Sequence, residues 1–233
     1  MDDHFRNLVF EGGGVKGIAY LGAMSALKKR GILSRIRRVG GTSAGAINAT
    51  LFALGFPMTE QRRILKNLDF KSLMDDDFGV VRDVKRLLSE FEWYKGDFFH
   101  EWISALVEKK LGSATATFRN LRDNGNTALY VFGTNLSTGF GEVFSHEHTP
   151  TTRIADAVRI SMSIPLFFAL FRNMRADVYV DGGLLNNYPV KLFDRAKYIA
   201  AEKRAQHARE TAYYDANENR SKPETSSPYV YNK

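Results

Sequence analysis

The sequence predicts an α/β fold with a mostly parallel central sheet covered by helices, and three observations carry the prediction. Short apolar runs alternate along the chain with helix-like segments, as expected when helices connect parallel strands. Two of these runs lead directly through glycine-rich turns, 12–17 and 41–45, into helices. The 233 residues, 44% of them apolar, also suffice for one substantial core.

The first elements follow from hydrophobic spacing and stop signals. Asn7–Phe10 is predicted as a short buried strand, and Ile18, Leu21, Met24 and Leu27 then recur at helical spacing up to a stop at Gly31. A second strand is predicted at 35–39. It leads into a small, apolar helix at 44–54, which Gly55 ends.

The remaining elements are predicted more sparsely. Helices are expected at 59–68, 97–111 with Asp97 as N-cap, 156–160 and 196–214; strands are expected at 129–132, 142–144 and 177–180. The polar stretch 215–228 carries no core pattern.

Composition excludes several classes of protein. The chain has no cysteine, so disulfides and thiolate metal sites are excluded. It starts with charged residues, and its longest apolar run, 164–171, falls short of the roughly 20 residues that span a bilayer. A cytoplasmic or peripheral membrane protein without a signal peptide is expected.

Charge and ligand spacing restrict the partners. The net charge of +7 favours polyanions in general, yet no nucleic-acid module accompanies it, so no nucleic-acid partner is predicted. The acidic run 75–77 lacks the ligand spacing of a calcium loop, and His146 and His148 lack a third metal ligand. No metal site and no cofactor are predicted.

Glycine-flanked Ser43 and the first glycine turn together indicate acyl-transfer chemistry. Acyl hydrolysis needs an exposed nucleophile on a sharp turn, and backbone N–H groups aimed at the developing oxyanion. Neighbouring parallel strands would place both turns at one edge of the sheet. The first turn also matches a dinucleotide fingerprint, but the second strand delivers Ser43 where that fold needs an acidic residue, so dinucleotide binding is the minor alternative.

A nucleophilic serine needs a base, and the histidines are poorly placed to be one. Asp181 ends a predicted strand and precedes two glycines that let the backbone bend closely. It is the better candidate, although an aspartate at this position could instead cap a turn.

These residues resemble the signature motifs of patatin-like phospholipases. The resemblance rests on 11–17 (EGGGVKG), 41–45 (GTSAG) and 181–183 (DGG), supported by 133–139 (GTNLSTG) and 157–165 (AVRISMSIP). Their recurring small residues are Gly12, Gly14, Gly17, Gly41, Gly45, Gly182 and Gly183.

The resemblance implies a three-layer α/β/α sandwich that acts as a lipid acyl hydrolase of the phospholipase A type, independent of metals. Ser43 would be the nucleophile, Asp181 the proton acceptor, and the amides of Gly13, Gly14 and Val15 the oxyanion hole. The alternatives are a thioesterase or transacylase using the same acyl-serine, and a catalytically silent lipid-binding effector module.

The expected partner is a phospholipid or other acyl lipid at a peripheral membrane surface. Lys16 has the charge to meet an anionic headgroup, while Phe167, Phe168 and Phe171 either line an acyl groove or pack in the core. The domain is expected to cover 1–195, with 196–233 a charged helix and polar tail. The last residues resemble the lead-in to a further strand, so this tail is expected to be a truncated end of the same domain.

Overall fold

The computed structural model describes residues 5–68, 97–165, 171–172, 176–195 and 198, and the backbone of 230–231. Its strands are β1 (Asn7–Phe10), β2 (Arg38–Thr42), β3 (Ala128–Asn135), β4 (Phe140–Ser145), β5 (Phe171–Arg172), β6 (Val178–Asp181) and β7 (Val230–Tyr231). Its α-helices are α1 (Tyr20–Lys29), α2 (Ala44–Ala53), α3 (Met58–Asn67), α4 (Asp97–Leu111), α5 (Phe118–Asp123), α6 (Ile154–Ser161) and α7 (Gly183–Asn186). Short 3₁₀-helices occupy Gly14–Ala19, Leu33–Arg35 and Val190–Phe193.

Three parallel strands form the part of the sheet that carries both glycine turns. β2 lies between β1 and β3 and runs parallel to each, with Gly41 opposite Phe10 on one side and Val131 on the other. β4 and β7 continue the sheet in antiparallel order beyond β3. The predicted α/β class is confirmed, and the two turns leave the sheet at the same edge.

β2 and β6 approach each other head-on along one side of β3. β2 ends with Thr42 opposite Phe132, and the antiparallel β6 ends with Asp181 opposite the next residue, Gly133. β4 occupies the other side of β3 over this stretch, so β6 must share a side with β2. The residues that follow Thr42 and end β6 therefore meet at one point.

The two faces of the sheet bury different clusters because side chains alternate along a strand. In β3, Leu129 and Val131 join the main core, which includes α2 and α6, whereas Tyr130 and Phe132 join a smaller cluster with Phe193. Apolar layers thus cover the sheet on both faces, as a layered α/β domain requires.

Some elements differ from the sequence predictions. β2 begins three residues later than expected because residues 33–35 form a 3₁₀-helix. Helix α5 was not predicted; it starts with a capping box in which the Thr117 and Asn120 side chains satisfy each other's backbone N–H groups. The predicted helix at 196–214, the acidic run 75–77 and the polar stretch 215–228 lie outside the described residues. In the described ranges, no helix has the length and hydrophobicity needed to cross a bilayer.

Candidate active site

Ser43 occupies a strained turn between β2 and α2. Its backbone has φ 55° and ψ −130°, a conformation that costs a non-glycine residue about 1–3 kcal/mol. The turn places Ser43 at the start of α2, where the helix dipole is positive. Ser43 is less exposed than the motif predicts, because only 5% of the residue is accessible to solvent.

The glycines around Ser43 let α2 lie directly against the sheet. A Cβ on Gly41 would collide with the carbonyl group of Gly45, and a Cβ on Gly45 would collide with the carbonyl oxygens of Phe10 and Glu11. These contacts explain why small residues flank the serine at this spacing. They also bring the start of α2 against the end of β1.

Asp181 lies in the same gap and is 6% accessible. Its Oδ1 accepts a hydrogen bond of 2.6 Å from the Gly183 N–H, while its buried Oδ2 has no partner with full hydrogen-bond geometry among the described residues. Burial raises the pKa of Asp181, and the nearby Ser43 hydroxyl and the hydrogen bond from the Gly183 N–H oppose the rise. The structure therefore brings Ser43 and Asp181 together.

Residues 161–163, here called the serine bracket, hold both groups in place. The Ser43 N–H donates to Ser161 Oγ at 2.9 Å, and Ser161 Oγ donates to the Phe132 carbonyl at 2.6 Å. The Asp181 N–H donates to the Ser163 carbonyl at 2.7 Å. Ser43 Oγ also lies 3.8 Å from Met162 Sδ.

No role of the bracket could be predicted from the sequence. Its signal was the pair of serines in the 157–165 motif, but a motif alone does not reveal a contact between residues so distant along the chain.

The first glycine turn lies beside Ser43. A Cβ on Gly12 would fall 3.1 Å from Ser43 Cβ. Asn187 holds the turn from the other side, since its carbonyl accepts from the Gly12 N–H at 2.9 Å and its Nδ2 donates to the Gly12 carbonyl at 3.0 Å. Gly14 has φ 52°, in the left-handed region that favours glycine.

The three predicted oxyanion-hole amides follow Gly12 in this turn. The N–H groups of Gly13, Gly14 and Val15 have no backbone acceptor among the described residues, as expected at the start of the 3₁₀-helix Gly14–Ala19. Free amides beside a serine can bind a negative oxygen.

The histidines in the described ranges make their contacts elsewhere. His100 Nε2 lies 2.7 Å from Asp156 Oδ1 on α6. His148 Nδ1 lies 2.7 Å from Ser145 Oγ, and both His146 and His148 pack edge-on against Tyr130. The described part of the chain contains no group of three or more His, Cys, Asp or Glu side chains suited to a metal ion.

The predicted lipid contacts are placed only in part. Lys16 is exposed on the 3₁₀-helix beside the site. Phe171 is half-buried in β5 and packs against the main core, so a role in an acyl groove stays a prediction. Phe167 and Phe168 lie outside the described residues.

Comparisons with known proteins point to one family. A protein of Bacillus subtilis, YqhO, is 32% identical over 81% of this chain, and a probable lipid hydrolase of Invertebrate iridescent virus 6 is 25% identical over 81% of it. The chain spans 67% and 63% of the lengths of these relatives. VipD from Legionella pneumophila shares the fold, with a TM-score of 0.59 and 24% identity over 79% of this chain and 47% of its own.

The family model described as patatin-like phospholipase matches residues 8–194, which include both glycine turns and Asp181. The match covers most of the chain. This protein therefore belongs to the patatin-like phospholipase family.

Proposed function

We propose that this chain is a lipid acyl hydrolase of the phospholipase A type, which cleaves fatty acyl esters through an acyl-serine intermediate. The observation that carries the proposal is the pairing of Ser43, in its strained turn at the start of α2, with the buried carboxylate of Asp181. Membership of the family, and a relative named as a probable lipid hydrolase, support a lipid ester as the substrate.

The first half of the reaction forms the acyl-enzyme. Ser43 Oγ attacks the acyl carbonyl carbon and its proton passes to Asp181 Oδ2. An ordinary carboxylate is a weak base toward an alcohol, but burial raises the pKa of Asp181 and makes it a stronger one. The leaving alcohol then takes the proton from Asp181 as the ester bond breaks.

Backbone dipoles stabilise the charge that develops in both halves of the reaction. The amides of Gly13, Gly14 and Val15 would donate to the oxyanion, and the dipole of α2 acts in the same direction. Water, deprotonated by Asp181, then attacks the acyl-serine, and Asp181 returns the proton to Ser43 Oγ as the bond to the acyl group breaks and the fatty acid is released. The chain supplies both base and electrophilic groups, so the proposed reaction needs no metal.

The test compares wild-type protein with Ser43→Ala on vesicles of mixed phospholipids, with the products identified by mass spectrometry. Wild type should release fatty acid and lysolipid, and a fluorophosphonate probe should label Ser43. Ser34→Ala is a matched control, because the Ser34 hydroxyl is exposed and donates to the nearby Gly31 carbonyl. Release of the same products by Ser43→Ala would contradict the proposal.

Added acceptors separate the related activities. If the acyl group passes to lysolipid in preference to water, the protein is a transacylase. If acyl thioesters turn over far faster than oxygen esters, it is a thioesterase. If no ester turns over at all, the chain is a lipid-binding module.

A further inference from the structure

Exposed large apolar side chains concentrate in two segments beside the candidate active site. One segment is the 3₁₀-helix Gly14–Ala19, which begins within the first glycine turn, and the other runs from α7 into the next loop. The six side chains, here called the apolar rim, are 38% to 56% exposed: Val15, Ile18, Leu184, Leu185, Tyr188 and Val190. Scattered exposed apolar residues need no explanation, but a contiguous group marks an interaction surface.

Several contacts join the two segments. The backbone of Gly12 is hydrogen-bonded to Asn187, and Asn187 Nδ2 also lies 3.3 Å from Glu11 Oε1. The carbonyl of Glu11 in turn accepts from the Tyr20 hydroxyl at 3.0 Å. Residues 11 and 12 are therefore in contact with Asn187. Burial raises the pKa of Tyr20, and Tyr188 lies close enough to add to the rise. The two groups of exposed apolar side chains thus border each other at this contact.

The apolar rim borders the reacting groups. Leu184 follows Gly183, whose N–H holds the Asp181 carboxylate. Val15 lies in the first glycine turn, whose Gly12 lies against Ser43. A partner seated on the rim would therefore meet the mouth of the active site.

Charge on the same two segments indicates the kind of partner. Lys16 is exposed within the first segment, Lys191 is exposed directly after the second, and the carboxylate of Glu11 is engaged by Asn187. The whole chain carries a net charge of +7. Exposed apolar side chains, an amphipathic tyrosine and flanking lysines are the combination that enters the headgroup region of an anionic bilayer.

We propose that the apolar rim docks on the surface of an anionic phospholipid bilayer, with Lys16 and Lys191 over the headgroups. This inference rests on the proposed function, because a hydrolase of bilayer lipids must bring its active site to the membrane surface. Docking by the rim turns the gap between Ser43 and Asp181 toward the lipid.

Vesicle sedimentation of the protein tests the docking. All variants are made in the Ser43→Ala background, so that binding is measured without hydrolysis, and folding of each is checked by thermal unfolding. The double substitution Leu184→Asp with Val190→Asp should weaken binding to phosphatidylglycerol-containing vesicles by at least about tenfold. Leu184→Asp alone is compared with Phe5→Asp as its matched control, because both make the same change in charge at similarly exposed positions, but Phe5 precedes β1, at the opposite edge of the sheet.

A second pair of variants tests the charge. Lys16→Glu with Lys191→Glu should reduce the preference for anionic over phosphatidylcholine vesicles, and added salt should weaken wild-type binding. Lys28→Glu with Lys29→Glu, at the far end of α1, makes the same change in net charge and should retain more of the preference.

The results separate this inference from the proposed function. Unchanged binding by the Leu184/Val190 variant, or equal losses with Leu184→Asp and Phe5→Asp, would overturn docking by the rim. Hydrolysis of p-nitrophenyl butyrate, a monomeric ester, is measured separately on wild type. Failure there would refute the proposed hydrolase activity, while the sedimentation data would still decide whether the rim binds lipid.

Discussion

Asp181 is the residue whose environment the proposed chemistry depends on most. A carboxylate buried beside a hydroxyl has fewer ways to be solvated, so it holds a proton more tightly than an exposed one. The same burial that makes it a better base therefore costs stability when it is ionised.

Asp181→Asn should lower the rate of ester hydrolysis by at least about a hundredfold, the low end for removing a positioned base. The amide has a similar shape and can still accept from the Gly183 N–H, but it cannot take the proton of Ser43. In wild type, the rate should rise with pH through an ionisation that lies above the ordinary carboxyl range.

His100→Gln is the control for this experiment, because His100 is engaged by Asp156 on α6. It should keep far more activity than Asp181→Asn. A histidine variant as inactive as Asp181→Asn would show that the proposed base is assigned to the wrong residue.

Among the elements, the serine bracket at the end of α6 links the two halves of the site. Ser161→Ala would leave the Ser43 N–H and the Phe132 carbonyl without their buried partner, at a cost in stability of about 1–3 kcal/mol per unsatisfied group. Because Ser161 positions Ser43, kcat should also fall, by about tenfold or more, with KM changed much less.

Ser163→Ala is a matched control for Ser161→Ala. It removes another buried hydroxyl, whose hydrogen bonds are to Arg159, but it keeps the carbonyl that holds Asp181. Both variants should unfold at lower temperature than wild type. Equal kcat losses in the two variants would mean that Ser161 has only a structural role.

Local sequence predicted the elements with strong periodicity and missed those set by distant partners. β3 was predicted at the correct position because its consecutive apolar residues pack on both faces of the sheet. The predicted second strand, 35–39, stops short of Gly40 and Gly41 because glycine has low strand propensity. In the structure β2 includes both glycines, since pairing with β1 and β3 on both sides holds them extended.

The candidate site shows the same division. The turns around Gly12 and Ser43 could be read from local glycine patterns. The bracket contacts of Ser161, and the neighbouring positions of the two rim segments, depend on residues far apart in sequence, which no local pattern encodes.

For the whole molecule, the raised pKa of Asp181 links folding to pH. The native state keeps the Asp181 proton up to a higher pH than the unfolded chain does, so the free energy of unfolding falls as pH rises from the ordinary carboxyl pKa through the raised one. Below the ordinary value both states are protonated and this loss is absent.

Asp181→Asn should therefore unfold at a higher temperature than wild type at neutral pH, and the difference should disappear in acid. Calorimetry or circular dichroism across pH would measure it. Asp123→Asn is the control, since Asp123 and its partner Arg122 are both exposed and such pairs contribute little. A wild type more stable than Asp181→Asn at neutral pH would contradict the argument.

Because β2 and β6 approach each other head-on along β3, this strand sets the distance between the two halves of the candidate site. Thr42 and Asp181 pair with consecutive residues of β3, so one peptide step of a single strand sets the spacing of the two half-sites. Loops between them can lengthen, shorten or be exchanged without changing this spacing. A single residue inserted into β3 between Phe132 and Gly133 would separate the half-sites by about 3.3 Å. The loops of this fold can therefore vary in length, whereas the length of β3 between these two pairing positions must stay fixed.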